Sequence, residues 1–234
     1  MTGTLDALFA ATLCFVGGHF LLSSETLRAL LVRRLGPQGF LIGYSLSVSA
    51  AFIWMVAAYG EAPTVAVWFP PAGFFWIPVA VMPVAILLAV AGVTTPNPTL
   101  VGAERRLSTG GPETPAPGII SITRHPFLWG TALWAVSHLA VNGDLASIIM
   151  MTGILVLSSA GMWHIDRRRE AALGAAWGPV KLTTSVIPFA AVLTGRGKPD
   201  WTGIGWWRPA LALAIYAVLL HLHGSVIGVP AWQG

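Results

Sequence analysis

Charge is what this sequence has least of. Only 9% of its 234 residues are Asp, Glu, Lys or Arg, where a soluble domain carries about 25%. A chain so poor in charge cannot cover a water-facing surface. Cysteine is almost absent as well. The single Cys14 excludes an intramolecular disulfide and any four-cysteine zinc or iron–sulfur centre. No secretory leader is expected: MTGTLDALF has no basic n-region and no small-x-small cleavage site follows it, so the first apolar stretch is expected to be retained. The net charge of +4 and pI near 9.8 would suit nucleic acid in a soluble protein. In an apolar chain they mark the cytoplasmic face instead, and no nucleic-acid partner is expected.

Apolar side chains make up 55% of the chain and the mean hydropathy is +0.73. Together these imply an all-α polytopic integral membrane bundle, a single transmembrane domain over 1–234 whose first partner is the lipid bilayer. Roughly 17–25 apolar residues cross a bilayer as a helix. Six spans can be drawn, at 5–22, 39–58, 73–93, 126–141, 145–163 and 209–227. The fourth is short. Residues 24–35, SETLRALLVRRL, form an amphipathic helix that extends the first span or lies along the interface. Residues 94–118 are a Pro-, Gly- and Thr-rich loop. Residues 183–193, TTSVIPFAAVL, are apolar but too short to cross, which suits a re-entrant or interfacial segment. With these spans all 13 Lys and Arg fall on one side, while Asp6, Glu61 and Asp144 lie on the other. The expected location is a bacterial inner membrane with both termini outside.

The stretch 122–144, ITRHPFLWGTALWAVSHLAVNGD, concentrates the residues that could carry chemistry. Pro126 suits the first position of a helix, so Arg124 and His125 stand at a helix N-terminus. They either cap it or form an anion-binding mouth for a phosphate or a propionate. Gly130, Trp134 and His138 recur at steps of four and share a face: a gap, a flat aromatic and a ring nitrogen. A helix meeting a planar cofactor and offering an axial ligand would look like this. Small residues for helix packing would look the same. His19 follows Gly17-Gly18, which also permits close approach. Depth sorts the six histidines into an inner set (His19, His125, His164) and an outer set (His138, His221, His223). The thirteen positions from His125 to His138 rise about 20 Å, so either set could hold a cofactor.

These residues resemble the NnrU family, and within it the branch similar to 15-cis-zeta-carotene isomerase. The resemblance is carried by GGHFLLSSETLRALLVRRLG at 17–36, TTPNPTLVGAE at 94–104, the 122–144 stretch, DRRR at 166–169 and TSVIPFAAVLTGR at 184–196. It implies a polytopic membrane protein and two roles: a haem b isomerase acting on a hydrophobic polyene, or an accessory factor in denitrification working beside nitrite or nitric oxide respiratory reductase subunits. It also implies His19 and His138 as haem iron ligands, and it puts Ala135 where the isomerase has a cysteine implicated in ligation. A looser resemblance links Arg124-His125-Pro126, Gly130, Glu170, Gly174, Trp177 and Pro188 to membrane methyltransferases. There the histidine and a later acidic residue help hold a nucleotide cofactor at the cytoplasmic face. A non-catalytic assembly partner is the third role the chain could fill.

Overall fold

The computed structural model describes residues 3–97, 99 and 116–231. Most of the 94–118 loop, including Arg105 and Arg106, lies outside the described residues. In chain order the long helices are α1 (Leu5–Ser23), α2 (Glu25–Glu61), α3 (Trp76–Thr94), α4 (Pro126–Leu139) and α5 (Leu145–Leu173). The short helices α6 (Gly178–Thr183), α7 (Ala190–Leu193) and α8 (Trp201–Ile204) follow, and then the long α9 (Trp207–Ile227). Among the described residues no strand forms beyond one bridge, Ala66 with Asp144. The all-α membrane architecture is therefore as expected from composition.

Five helical stretches are long and apolar enough to cross a membrane: Leu5–Ser23, Glu25–Glu61, Trp76–Thr94, Leu145–Thr183 and Trp207–Ile227. The remaining expected span, 126–141, forms the 14-residue α4. Its rise of about 21 Å falls short of a hydrocarbon core of about 30 Å. Its length is limited at both ends. Pro126 starts it, and the turn at 142–144 stops it through hydrogen bonds from Val67 N and Trp68 N to the Gly143 carbonyl (2.8 and 3.1 Å).

The chain groups into two compact units, one of residues 1–74 and 135–157, the other of 75–134 and 158–234. Helices α4 and α5 are divided between them. In the first unit α1 lies antiparallel to α2, and Gly3 meets the Glu61 carbonyl oxygen at the far end of the hairpin. Ser24 is extended and caps the break between them. A second break inside α2 falls at Gly36 (φ 74°, ψ 166°) just before Pro37. Glycine adopts this conformation without a Cβ penalty, and proline cannot continue the preceding hydrogen-bond ladder. The basic amphipathic piece is thus set off from the apolar part of α2. Leu8, Ala11, Met55 and Ala58 are fully buried between the pair and its neighbours, Gly153 sits directly against Thr12, and Tyr59 bonds Ser147 at 2.9 Å.

In the second unit α3 packs against α4 almost backbone to backbone. A methyl group on Gly92 would come within 2.7 Å of Phe127 N, and one on Gly130 within 2.6 Å of the Ala85 carbonyl oxygen. Small residues allow this approach. Arg208, from α9, closes the C-terminus of α3 by donating to the Thr94 hydroxyl and carbonyl (2.8 and 3.0 Å), and Tyr216 donates to the Val79 carbonyl (2.9 Å). The core here is Leu88, Ala91, Ile119, Ile120, Ile122 and Ile204, flanked by Trp129 and Leu133.

Asp200 clasps the loop that leads into α4. Its carboxylate accepts from Gly118 N, Gly203 N and the Thr202 hydroxyl (2.8, 2.8 and 2.9 Å), and its own N–H donates to the Ser121 hydroxyl (2.8 Å). The Gly118 amide, then that of Gly203, then the Thr202 hydroxyl hold the Asp200 carboxyl below its ordinary pKa. A depressed carboxyl contributes stability fully above its unfolded pKa of about 3.9, and that stability is lost as pH falls through the folded value. Melting in detergent should therefore show Asp200→Asn less stable than the native chain at pH 7, with the gap narrowing as pH drops from about 5 toward 3. A gap that stays constant over that range would contradict the clasp.

Candidate functional site

Residues 122–129 are stitched to the extended segment 184–189. Arg124 N donates to the Ser185 carbonyl (3.0 Å) and Phe189 N to the Ile122 carbonyl (2.8 Å). The Val186 carbonyl accepts from the Thr123 hydroxyl (2.7 Å) and from Trp129 Nε1 (2.8 Å). The apolar 183–193 stretch therefore runs as an extended piece ending in the short α7, as a segment too short to cross must.

This stitching takes Arg124 and His125 into the interior, where they are 7% and 1% exposed. A buried guanidinium needs a counter-charge. Asp166, on α5, supplies it: Arg124 Nε donates to Oδ2 and His125 Nε2 to Oδ1, each at 2.8 Å. Arg124 Nη1 is held by the Thr184 carbonyl and hydroxyl, both at 3.2 Å. The Arg124 carbonyl accepts from the Thr99 hydroxyl (3.0 Å). Because a carboxylate only accepts, His125 carries its proton on Nε2 toward Asp166. His125 Nδ1 is buried and makes no hydrogen bond among the described residues. The anion expected at this helix start, a phosphate or a propionate, is thus supplied by the chain itself. His125 bonds Asp166 through Nε2, so Nδ1 is the nitrogen left on its ring.

Glu170, the acidic residue expected to serve the Arg-His-Pro histidine, instead pairs with Lys181 at 2.9 Å on the exposed surface. The acid that His125 does bond, Asp166, is one helical turn earlier. Its sequence signal was present but weak: Asp166 is the one acidic residue at the head of the DRRR run, close to the end of an apolar span. The gap expected at Gly130 for a macrocycle is filled by the backbone of α3, as described above. Helix packing is the role the structure gives this glycine. Trp134 is half-buried on the same helix.

The two histidines expected to bind iron fall in one unit, and His125 and His164 in the other. His19 Nδ1 donates to the Phe15 carbonyl one turn back (2.7 Å), its ring edge-on to Phe15 and Tyr44 (4.7 and 6.0 Å between centroids). Next to it, Gly17 and Gly18 face open space. His138 Nδ1 lies 3.4 Å from the buried Ser137 hydroxyl. His223 donates to the Val229 carbonyl at the end of α9 (2.6 Å). Among the described residues no three His, Cys, Asp or Glu side chains converge on a metal-sized site.

Comparison with known proteins gives this arrangement a family. The NnrU protein family model matches residues 7–231. The chain belongs to the NnrU family. It is also 37% identical over 118 residues to 15-cis-zeta-carotene isomerase, chloroplastic, of Arabidopsis thaliana, covering 50% of this chain and 31% of that protein. The protein of the same description from Zea mays is 37% identical over 81 residues, 35% of this chain and 22% of that protein. The match thus spans less than a third of either relative's length. No solved structure matches the chain significantly.

Removal of Asp166 should be far more damaging than removal of Glu170. Asp166→Ala leaves a buried cation unpaired and should cost about 3–5 kcal/mol, whereas Glu170→Ala breaks an exposed pair worth about 1 kcal/mol or less. Unfolding of both variants in the same detergent would compare them. Equal losses would mean that Arg124 has another counter-charge.

Proposed function

We propose that this NnrU-family protein is a membrane isomerase acting on a carotenoid-like polyene, with His19 as a ligand of haem b. The observation that carries the proposal is the state of His19. Its Nδ1–H is committed to the Phe15 carbonyl, which fixes the ring and leaves Nε2 as the ligand nitrogen. Ligating histidines are oriented by such a bond on the other ring nitrogen. The open face at Gly17 and Gly18 suits a flat macrocycle, whereas Gly130 does not. When bound, haem supplies an iron whose oxidation state can gate rotation about a double bond. The chain's own part is to orient the His19 imidazole and to keep water from an apolar path that a hydrocarbon enters from the bilayer. The relatives' description supports the substrate class.

Protein purified after haem-replete expression should show a Soret band that shifts on reduction with dithionite. His19→Ala should lose haem or convert the iron to high spin, while the chain remains folded in the membrane. His125→Ala should leave the iron's coordination unchanged in whatever protein survives. A native protein without a Soret band, or one that instead co-purifies haem-free with a respiratory reductase, would contradict the proposal.

A further inference from the structure

The segment 184–206 carries large apolar side chains to the surface although it spans nothing. It follows the charged stretch 164–183 that succeeds the apolar part of α5 and stops where a candidate membrane span begins, at Trp207. Leu193 is 84% exposed, Trp206 83% and Trp201 61%, with Ile187 and Phe189 also outward. Phe189 is the one non-glycine with positive φ (64°) among the described residues. A bulky residue adopts that conformation only when its surroundings impose it. Here its N–H is fixed to the Ile122 carbonyl, and the strained backbone leaves its ring 42% exposed against Trp201 (6.4 Å between centroids). An aqueous surface gives such an arrangement no stabilisation.

The charges on the same segment are basic. Arg196 and Lys198 are exposed, and the only acidic residue from 184 to 206 is Asp200. Its carboxylate is taken by Gly118, Gly203 and Thr202. Amphipathic aromatic rings sit at the headgroup level of a bilayer, and each Lys or Arg near an anionic leaflet adds attraction.

We infer that 184–206 is an interfacial foot that seats in the headgroup layer of an anionic phospholipid leaflet. Its apolar side chains enter the acyl boundary, and Lys198 faces the lipid phosphates, while Arg196 is bonded to Thr194 and to the Lys181 and Leu182 carbonyls. The backbone behind the foot bonds to Ile122, Thr123, Arg124 and Trp129, so lipid contact braces the start of α4 directly.

A single-cysteine probe tests this. In a Cys14→Ser background, Leu193→Cys labelled with an environment-sensitive fluorophore is placed in nanodiscs of phosphatidylcholine, with or without phosphatidylglycerol. Lipids brominated on their acyl chains should quench the probe several-fold more than aqueous iodide. Phosphatidylglycerol should increase that quenching, and Lys198→Glu should remove the increase without changing quenching in phosphatidylcholine alone. Strong iodide quenching with little lipid quenching would overturn the inference. So would protection from both quenchers, which would mean that protein covers this face. Equal lipid quenching in the two compositions would overturn the anionic assignment.

Discussion

One carboxylate, that of Asp166, is shared by a buried arginine and a buried histidine, and the second unit is arranged around that sharing. In an apolar bundle an unpaired guanidinium is costly enough to prevent burial. Asp166 offers one oxygen to Arg124 and the other to His125, and Thr184 takes the remaining guanidinium donors on one edge. Three pieces remote in sequence are thereby fixed to one another: the entry to α4, the far end of α5 and the extended segment before α7. The 3-10 turn at Gly118–Ser121, held by Asp200, and the capping of α3 by Arg208 brace the same region.

This arrangement separates two kinds of histidine. His125 belongs to the internal ion cluster, with its ring orientation set by a carboxylate and its surface wholly covered. His19 stands on a helix with its ring orientation set by its own backbone and with open space beside it. The proposed cofactor site uses the second kind, His19.

Much of the architecture was legible in the sequence because it depends on local or periodic signals. Apolar runs gave the long helices, Pro126 marked the start of α4, and Asn142-Gly143-Asp144 its stop. The shortness of the apolar stretch at 183–193 excluded a crossing. The site was less legible because its contacts are not local. Arg124 and Asp166 are 42 residues apart, and nothing in the spacing around Glu170 distinguishes it from Asp166 as the partner. Gly130, Trp134 and His138 do lie at one-turn intervals on a helix, but spacing cannot say that another helix, α3, already occupies the glycine. A gap for packing and a gap for a cofactor have the same sequence signature. The positive φ at Phe189 had no signal at all, since phenylalanine is a poor choice for it and tertiary hydrogen bonds impose it.

The most direct test of the central claim is a double-mutant cycle on Arg124 and Asp166, read as unfolding free energy in detergent. Arg124→Gln, Asp166→Asn and the double variant remove the charges while conserving shape. Residues in one buried ion-pair network couple by about 0.5–3 kcal/mol. The shared carboxylate predicts that each single variant is strongly destabilised and that the double variant loses at least about 2 kcal/mol less than the sum of the two. Additive losses would contradict it, because they would mean that Arg124 and Asp166 are stabilised independently and that the buried cluster is not the constraint on which this unit depends.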